Sequence, residues 1–137
     1  MTTIKHENQI ARIYNEKGAQ AIGSNAPNLE GLNPRELLEA SIALCTTITA
    51  RKVLERDGIP FDVNQIQATV CASKGESITN RFIHFDVILT VPEGLDAKYT
   101  KKLLASVERG CTISNTVKAK TTVSLTEKSI KSSRVEN

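Results

Sequence analysis

The chain has 137 residues, of which 39% are hydrophobic and 24% are charged, and it contains no Trp. This length and composition are typical of one globular domain and exclude a disordered or fibrous chain. The formal net charge is only +3 and the basic residues are scattered, which argues against a nucleic-acid-binding protein. The N-terminus has no apolar leader, and no apolar run of about 18 residues occurs, so we expect a cytoplasmic protein without a membrane anchor.

The three cysteines, Cys45, Cys71 and Cys111, lie far apart in the sequence. An odd number of cysteines at long spacings does not fit the disulfide framework of a small secreted domain, so reduced thiols are expected. A zinc site is not expected, because CxxC and HxxxH patterns are absent and the two histidines, His6 and His84, are distant. Both histidines are predicted to be surface residues.

The N-terminal residues predict a β-hairpin. Two short strands, Gln9–Tyr14 and Ala19–Ser24, flank the turn Asn15–Gly18, in which Gly18 can take a positive φ. Residues 25–32 then form a connection rich in Gly, Pro and Asn that leads to the first helix.

The start of the first helix is specified by the segment Asn33–Glu36, which reads NPRE. Asparagine is a good N-cap, proline suits the first helical position, and glutamate at the third position can close a capping box. The helical pattern continues to about Glu55, and no charged residue occurs between Ala40 and Ala50. A helix without a charged face must be covered on every side, and we expect a partner subunit to supply part of that cover.

Two strands, a second helix and a last strand follow. Strands are predicted at Val63–Ser73 and Ile83–Val91, where apolar and polar residues alternate. The second helix is capped by Asp96 and is ended or kinked by Gly110. Alternation from Val117 to Leu125 predicts a final strand with one wet face.

This order of elements is not interrupted by an internal repeat or a low-complexity segment. The simplest arrangement is a two-layer α+β fold in which the helices pack on the sheet. We expect residues 1–137 to form one domain, of which residues 127–137 are a polar tail that is frayed in part.

Two segments of the chain resemble the motifs of the OsmC/Ohr family of osmotically inducible and organic hydroperoxide resistance proteins. The segment Asn33–Cys45, NPRELLEASIALC, looks like the first-cysteine motif of that family. The segment Gly110–Val117, GCTISNTV, resembles the second motif, which usually reads Cys-Pro-Val-Ser-Asn-Thr-Leu. The resemblance covers roughly residues 8–126. It implies the OsmC-like two-layer fold of antiparallel sheets with two main helices, assembled as an intertwined homodimer with active sites at the subunit interface.

The resemblance also implies an activity, the thiol-dependent reduction of organic hydroperoxides in oxidative-stress defence, without haem, flavin or metal. Cys45 would attack the peroxide and become a sulfenic acid, and Cys111 would resolve it to a disulfide. An external dithiol, in relatives a lipoylated protein, would then reduce the pair. Taken alone, a cysteine in an apolar helix is more often a small core residue. The second motif favours the redox role for Cys45, and Cys71 is predicted to be structural or incidental.

A reactive Cys45 needs a cation, because it lies too far from the start of its helix for the macrodipole to act. The resemblance implies an arginine of the N-terminal segment held by a glutamate, and Arg12 is the candidate, although it can equally be a surface residue. Arg35 stands where the family has the glutamate, and Glu36 follows one position later. Glu36 is also explained as a capping-box residue. Arg35 starts about 15 Å from Cys45 along the helix, so it could act only across a dimer interface.

An apolar pocket lined in part by Ile42, Ile48 and Leu104 would favour organic substrates over hydrogen peroxide. The alternative from another class is a non-catalytic OsmC-fold dimer that binds an apolar ligand or senses redox state, and the altered Pro-Arg-Glu start favours it somewhat. A third possibility, an RNA-binding module, rests on the positive charge and on Lys118 and Lys120. It is weakened because aromatic stacking platforms are absent beside them.

Overall fold

Two small antiparallel sheets and three α-helices are formed by residues 1–77 and 79–128, which the computed structural model describes. No helix in these two stretches is long and apolar enough to cross a bilayer. In chain order the elements are β1 Thr3–Glu7, β2 Ile10–Asn15, β3 Gly18–Gly23, α1 Pro34–Arg56, a 3-10 turn Val63–Gln65, β4 Gln67–Ser73, β5 His84–Thr90, α2 Ala97–Gly110 and α3 Thr112–Lys118. The predicted α+β class is confirmed.

The N-terminal sheet has the order β1-β2-β3, so the predicted hairpin gains a strand that was not predicted. Gly18 closes the β2–β3 turn with a φ of 127°, as expected. The β1–β2 turn is made by Asn8 and Gln9, which have φ values of 51° and 67°, between the paired residues Glu7 and Ile10. A two-residue turn with positive φ at both positions usually contains glycine. This turn has none, so the sequence did not indicate it.

The capping box of α1 is present as predicted. The Asn33 side chain accepts the Glu36 amide at 2.8 Å, and the Glu36 carboxylate accepts the Asn33 amide at 2.9 Å. Two of the amides that a helix start leaves without partners are therefore satisfied locally. The helix ends at Arg56, one residue beyond the predicted position.

The core lies where α1 crosses α2. Its buried side chains are Ala50, Val53 and Leu54 of α1 with Leu103 and Val107 of α2, and residues of β5 and the connecting loops pack around them. Leu54 has no exposed surface. Burying one such side chain contributes about 1.5–3 kcal/mol. Because the buried side chains of this core come from α1 and α2, their crossing is the main apolar contact between the helices.

Glu39 joins α1 to the sheet formed by β4 and β5. Its carboxylate accepts the backbone amide of Ala72 on β4 at 2.7 Å, and its side chain is only 14% exposed. The paired strands run antiparallel from Gln67 opposite Thr90 to Ser73 opposite His84. The glutamate therefore satisfies a strand amide that β5 does not.

The β4–β5 hairpin has the predicted faces, although β4 begins at Gln67 because residues 63–65 form a 3-10 turn. Asp62 caps that turn by accepting the Asn64 amide at 3.0 Å. Ala72 is buried against α1, whereas Cys71 is exposed on the opposite face.

The prediction of a last strand from Val117 to Leu125 is wrong for this structure. Lys118 is the last residue of α3, and residues 119–128 form neither helix nor strand. Val123 and Leu125 are 95% and 97% exposed. Alternation gives a strand only where another strand accepts its hydrogen bonds, and no strand among the described residues pairs with this segment. The predicted tail lies outside the described residues from position 129 onward.

Candidate active site

The junction between α2 and α3 places Cys111 against the middle of α1. Cys111 follows the last residue of α2 and precedes the first residue of α3, so it caps both helices. Its amide donates to the Val107 carbonyl and its carbonyl accepts from the Asn115 amide, each at 3.0 Å. The backbone of Cys111 is therefore held on both sides by regular hydrogen bonds.

Gly110 permits the close approach of this junction to α1. A Cβ atom at position 110 would meet the Thr49 methyl group at 3.2 Å, which is tighter than usual van der Waals contact. From its sequence position, Gly110 was expected only to end or kink the second helix. Because it has no side chain, Gly110 also lets the Cys111 segment pack closely against α1, the helix that carries Cys45.

Cys45 lies next to Cys111 and is among the groups that lower the pKa of the Cys111 thiol, and both thiols are free. Cys111 is 1% exposed, whereas Cys45 is half-buried. The Thr46 hydroxyl lies 3.9 Å from the Cys111 sulfur.

The pKa of the Cys111 thiol is lowered from its usual value. Burial alone raises it, but hydrogen bonds from the Ser114 hydroxyl and amide, from Cys45 and from Thr46 outweigh that effect. Donors stabilise the thiolate, which is the nucleophilic form of cysteine. Ser114 and Thr46 were not singled out from the sequence, although each stands within three residues of a candidate cysteine.

The charged residues proposed to activate Cys45 have other partners in this chain. Arg12 lies 4.0 Å from Glu7 within the N-terminal sheet. Arg35 lies 3.8 Å from Glu39, one turn along its own helix. Since Glu36 closes the capping box, the chain itself forms no Arg12–Glu36 pair among its described ion pairs. A role for Arg12, Arg35 or Glu36 at the thiol remains a prediction.

A cavity of about 680 Å³ adjoins the thiol pair. Apolar side chains of α1, β5 and α2 line most of it, and Cys111 and Ser114 form part of its wall. Ile42 and Leu104 line the cavity as predicted, whereas Ile48 is not in its wall and is 40% exposed. Cys111 is part of the cavity wall, whereas Cys45 is its neighbour and is not among the residues that line the cavity.

Three polar side chains stand at the rim of the cavity. Lys118 and Glu108 lie 3.9 Å apart and are largely exposed. His84 pairs with Asp86 at 3.0 Å and is exposed, as the sequence predicted. Residues 1–77 and 79–128 contain no cluster of His, Cys, Asp and Glu suited to a metal ion. The arrangement thus offers two adjacent thiols beside an apolar space, a geometry suited to dithiol–disulfide chemistry.

Residues 25–126 match the model of a protein family described as OsmC-like protein. No curated protein sequence matches the chain significantly. The family match contains both cysteine motifs and all elements from α1 to α3.

Solved structures share the fold at low sequence identity. An OsmC-like protein of Mycoplasma pneumoniae superposes with a TM-score of 0.71 at 15% identity, covering 86% of each chain. The organic hydroperoxide resistance protein OhrB of Bacillus subtilis gives 0.62 at 22% identity, covering 85% of this chain and 88% of its own. An organic hydroperoxide resistance protein of Elizabethkingia anophelis gives 0.65 at 17% identity, covering 85% of each.

Proposed function

Since the chain belongs to the OsmC-like protein family, we propose that it is a thiol-dependent peroxidase that reduces organic hydroperoxides in oxidative-stress defence. The observation that carries this proposal is that Cys45 lies next to Cys111, which is part of the wall of an apolar cavity. The family relationship supports a general redox role, and two structural neighbours are organic hydroperoxide resistance proteins.

The proposed reaction has three balanced steps. The Cys45 thiolate attacks one peroxide oxygen, the O–O bond breaks, and the alcohol leaves with a proton while Cys45 becomes a sulfenic acid. The Cys111 thiolate then attacks the Cys45 sulfur, forming a disulfide and releasing hydroxide, which takes up a proton to become water. An external dithiol reduces the disulfide and is itself oxidised. The lowered pKa of Cys111 supports its role as the resolving thiolate.

The cavity supports the choice of organic peroxides. Its volume of about 680 Å³ lies within the range of small-molecule sites, and most of its wall is apolar. Hydrogen peroxide gains nothing from such a wall, whereas an alkyl or aryl group loses contact with water there. We therefore expect kcat/KM to be higher for an organic hydroperoxide than for hydrogen peroxide.

One assay tests the peroxidase proposal. Consumption of cumene hydroperoxide with dithiothreitol as reductant is measured for the wild type, Cys45→Ser and Cys111→Ser. Turnover should be lost in both variants, and Cys71→Ser, which changes an exposed thiol on the other face of β4, serves as the matched control and should keep activity. Equal inertness of the wild type and Cys45→Ser would eliminate the enzyme proposal.

We also propose a homodimer. The α1 side chains Leu44 and Ile48 are 63% and 40% exposed, and Val123 and Leu125 of the C-terminal segment are almost fully exposed. A second copy would remove these apolar surfaces from water and could supply a strand that pairs with the C-terminal segment. Leu44→Glu should therefore give a species of half the wild-type mass in sedimentation analysis. Lys101→Glu, a charge change on an exposed residue of α2, is the control.

The positive charge beside Cys45 is proposed to come from Arg12, held by a glutamate at the start of α1, or from Arg35. Within one chain Arg12 pairs with Glu7 and Arg35 with Glu39. Arg35 or Glu36 would therefore act on Cys45 from the partner subunit. A cytoplasmic location fits three free thiols, which a reducing compartment maintains.

The second candidate function is an apolar-ligand binder or redox sensor, which the cavity favours independently of turnover. It predicts a chain that binds apolar compounds in the cavity and consumes no peroxide. The peroxide assay separates the two functions. A chain that only binds apolar compounds consumes no peroxide, and Cys45→Ser changes neither its ligand binding nor its lack of peroxide consumption.

A further inference from the structure

Thr46 is a buried polar residue that the proposed reaction has not used. It follows Cys45 on α1, its side chain is 4% exposed, and it lines the cavity beside Cys111. Its hydroxyl oxygen is 2.7 Å from the Ile42 carbonyl oxygen and 3.9 Å from the Cys111 sulfur. The hydroxyl therefore stands between a helix carbonyl and a thiol.

The hydroxyl has one proton and two lone pairs, which decide what it can offer the sulfur. While it donates to the Ile42 carbonyl, it can only accept from the Cys111 S–H group. When Cys111 loses its proton, rotation about one bond lets the hydroxyl donate to the thiolate. The Ile42 carbonyl stays satisfied in that state, because it also accepts the helix amide four residues later.

We propose that Thr46 is a positioning residue for Cys111, which orients the thiol toward Cys45 and donates a hydrogen bond to it once it is ionised. The consequence for turnover rests on the proposed function: a larger thiolate fraction at Cys111 speeds its attack on the Cys45 sulfenic acid. Of the two thiols, the Thr46 hydroxyl has a hydrogen-bond contact with that of Cys111, so it acts through Cys111 and leaves the first step to Cys45.

Other titratable groups face this thiol and must be held constant in a test. They are Cys45 on α1, Glu108 on α2, Lys118 on α3 and His84 on β5. The last three are more than half exposed at the rim. Glu108, Lys118 and His84 are present in every variant, and Cys45 is replaced by serine in all of them, so these positions affect the absolute pH midpoint but not the difference between variants.

Two substitutions separate the hydroxyl from the shape of the side chain. Thr46→Val keeps the branched shape and removes the hydroxyl, whereas Thr46→Ser keeps the hydroxyl and removes a methyl group. Each is made in a Cys45→Ser chain, so that a disulfide with position 45 cannot form. The pH dependence of Cys111 alkylation by iodoacetamide is followed by peptide mass mapping, and exposed Cys71 provides an internal reference in the same sample.

Thr46→Val should raise the pH midpoint of Cys111 alkylation by roughly one unit, which is about a tenfold loss of thiolate below both midpoints. Thr46→Ser should keep the midpoint of the Thr46 chain, and Cys71 should be unchanged in all three. In chains that retain Cys45, Thr46→Val should slow disulfide formation and spare sulfenic acid formation.

An unchanged midpoint in Thr46→Val, or an equal shift in Thr46→Ser, would overturn the proposal, because the hydroxyl would then have no role of its own. If Thr46→Val fails to fold, as judged by circular dichroism, Thr46→Ala supplies the same comparison. Alkylation requires no peroxide. A shifted midpoint in a chain without peroxidase activity would therefore reject the proposed function and leave the role of Thr46 standing.

Discussion

The two sides of α1 differ in how much of their surroundings one chain supplies. On the inner side, Ile42, Thr46 and Ala50 are buried against neighbouring elements, and Cys111 meets Cys45 there. On the outer side, Leu44 is 63% exposed and Ile48 is 40% exposed. The thiol pair is thus assembled within one chain, whereas the apolar cover of the helix is incomplete. We infer that the fold of a single chain brings Cys45 and Cys111 together, whereas the activation of Cys45 depends on formation of the dimer.

Mixed dimers would test this division with the largest expected effect. Cys45→Ser and Arg35→Ala chains, each inactive alone, should recover activity when refolded together, because one chain supplies the cysteine and the other the arginine. Cys45→Ser mixed with Cys111→Ser is the matched control and should stay inactive, because these two residues must share a chain. Recovery in the control would place the pair across the interface, and no recovery in the first mixture would refute the trans role of Arg35.

Truncating one leucine on each side of α1 compares the same two regions by stability. Leu54→Ala should lower the free energy of unfolding by about 2–5 kcal/mol at every protein concentration, because Leu54 is wholly buried within the chain. Leu44→Ala should cost about 0.5 kcal/mol or less in dilute protein and more as concentration rises. Urea denaturation at two protein concentrations measures the loss of unfolding free energy for both variants. An equally large, concentration-independent cost for Leu44→Ala would mean that the outer side is packed within one chain.

A smaller, pH-dependent effect is expected at the C-terminal end of α1. The Tyr99 hydroxyl donates to the Asp57 carboxylate at 2.7 Å. This bond, with one from Arg56, lowers the pKa of Asp57, while burial and then the bond to Asp57 raise the pKa of Tyr99 to about 12. The bond therefore stabilises the fold above the ordinary Asp pKa of 3.8 and is lost as the pH falls through the lower folded value.

Loss of the same bond at high pH follows from the tyrosine. Because the pKa of Tyr99 is raised from 10.0, its contribution is complete below that value and disappears as the pH rises through about 12. Tyr99→Phe should lower Tm at neutral pH, and the difference from the wild type should shrink in acid. A difference that is independent of pH would show that only the packing of the ring matters.

Local signals in the sequence were sufficient for most of the elements. The capping box at Asn33 and Glu36 identified the start of α1, and Asp96 identified that of α2, where it accepts the Tyr99 amide at 2.7 Å. In each case a side chain satisfies an amide within three residues, so no distant contact is needed. The alternation of β4 and β5 was similarly informative, because one face of that hairpin packs on α1.

Features that depend on distant or external groups were not predictable in this way. The turn that joins β1 to β2 is formed by Asn8 and Gln9, and their positive φ values were not indicated by the sequence. The expected strand at 117–125 requires a strand to pair with, and none of the described strands pairs with it. The contact of Cys45 with Cys111 was implied by resemblance to a family and not by spacing, and the contribution of Thr46 became visible only from the packing of α1 on the α2–α3 junction.

The most direct test of the account is to add one equivalent of cumene hydroperoxide to the reduced wild-type protein and to identify the cysteines that become linked. The account predicts one intrachain disulfide between Cys45 and Cys111 by peptide mass mapping under non-reducing conditions, with Cys71 remaining a free thiol. A disulfide that includes Cys71, or three thiols that stay reduced while the peroxide persists, would contradict it.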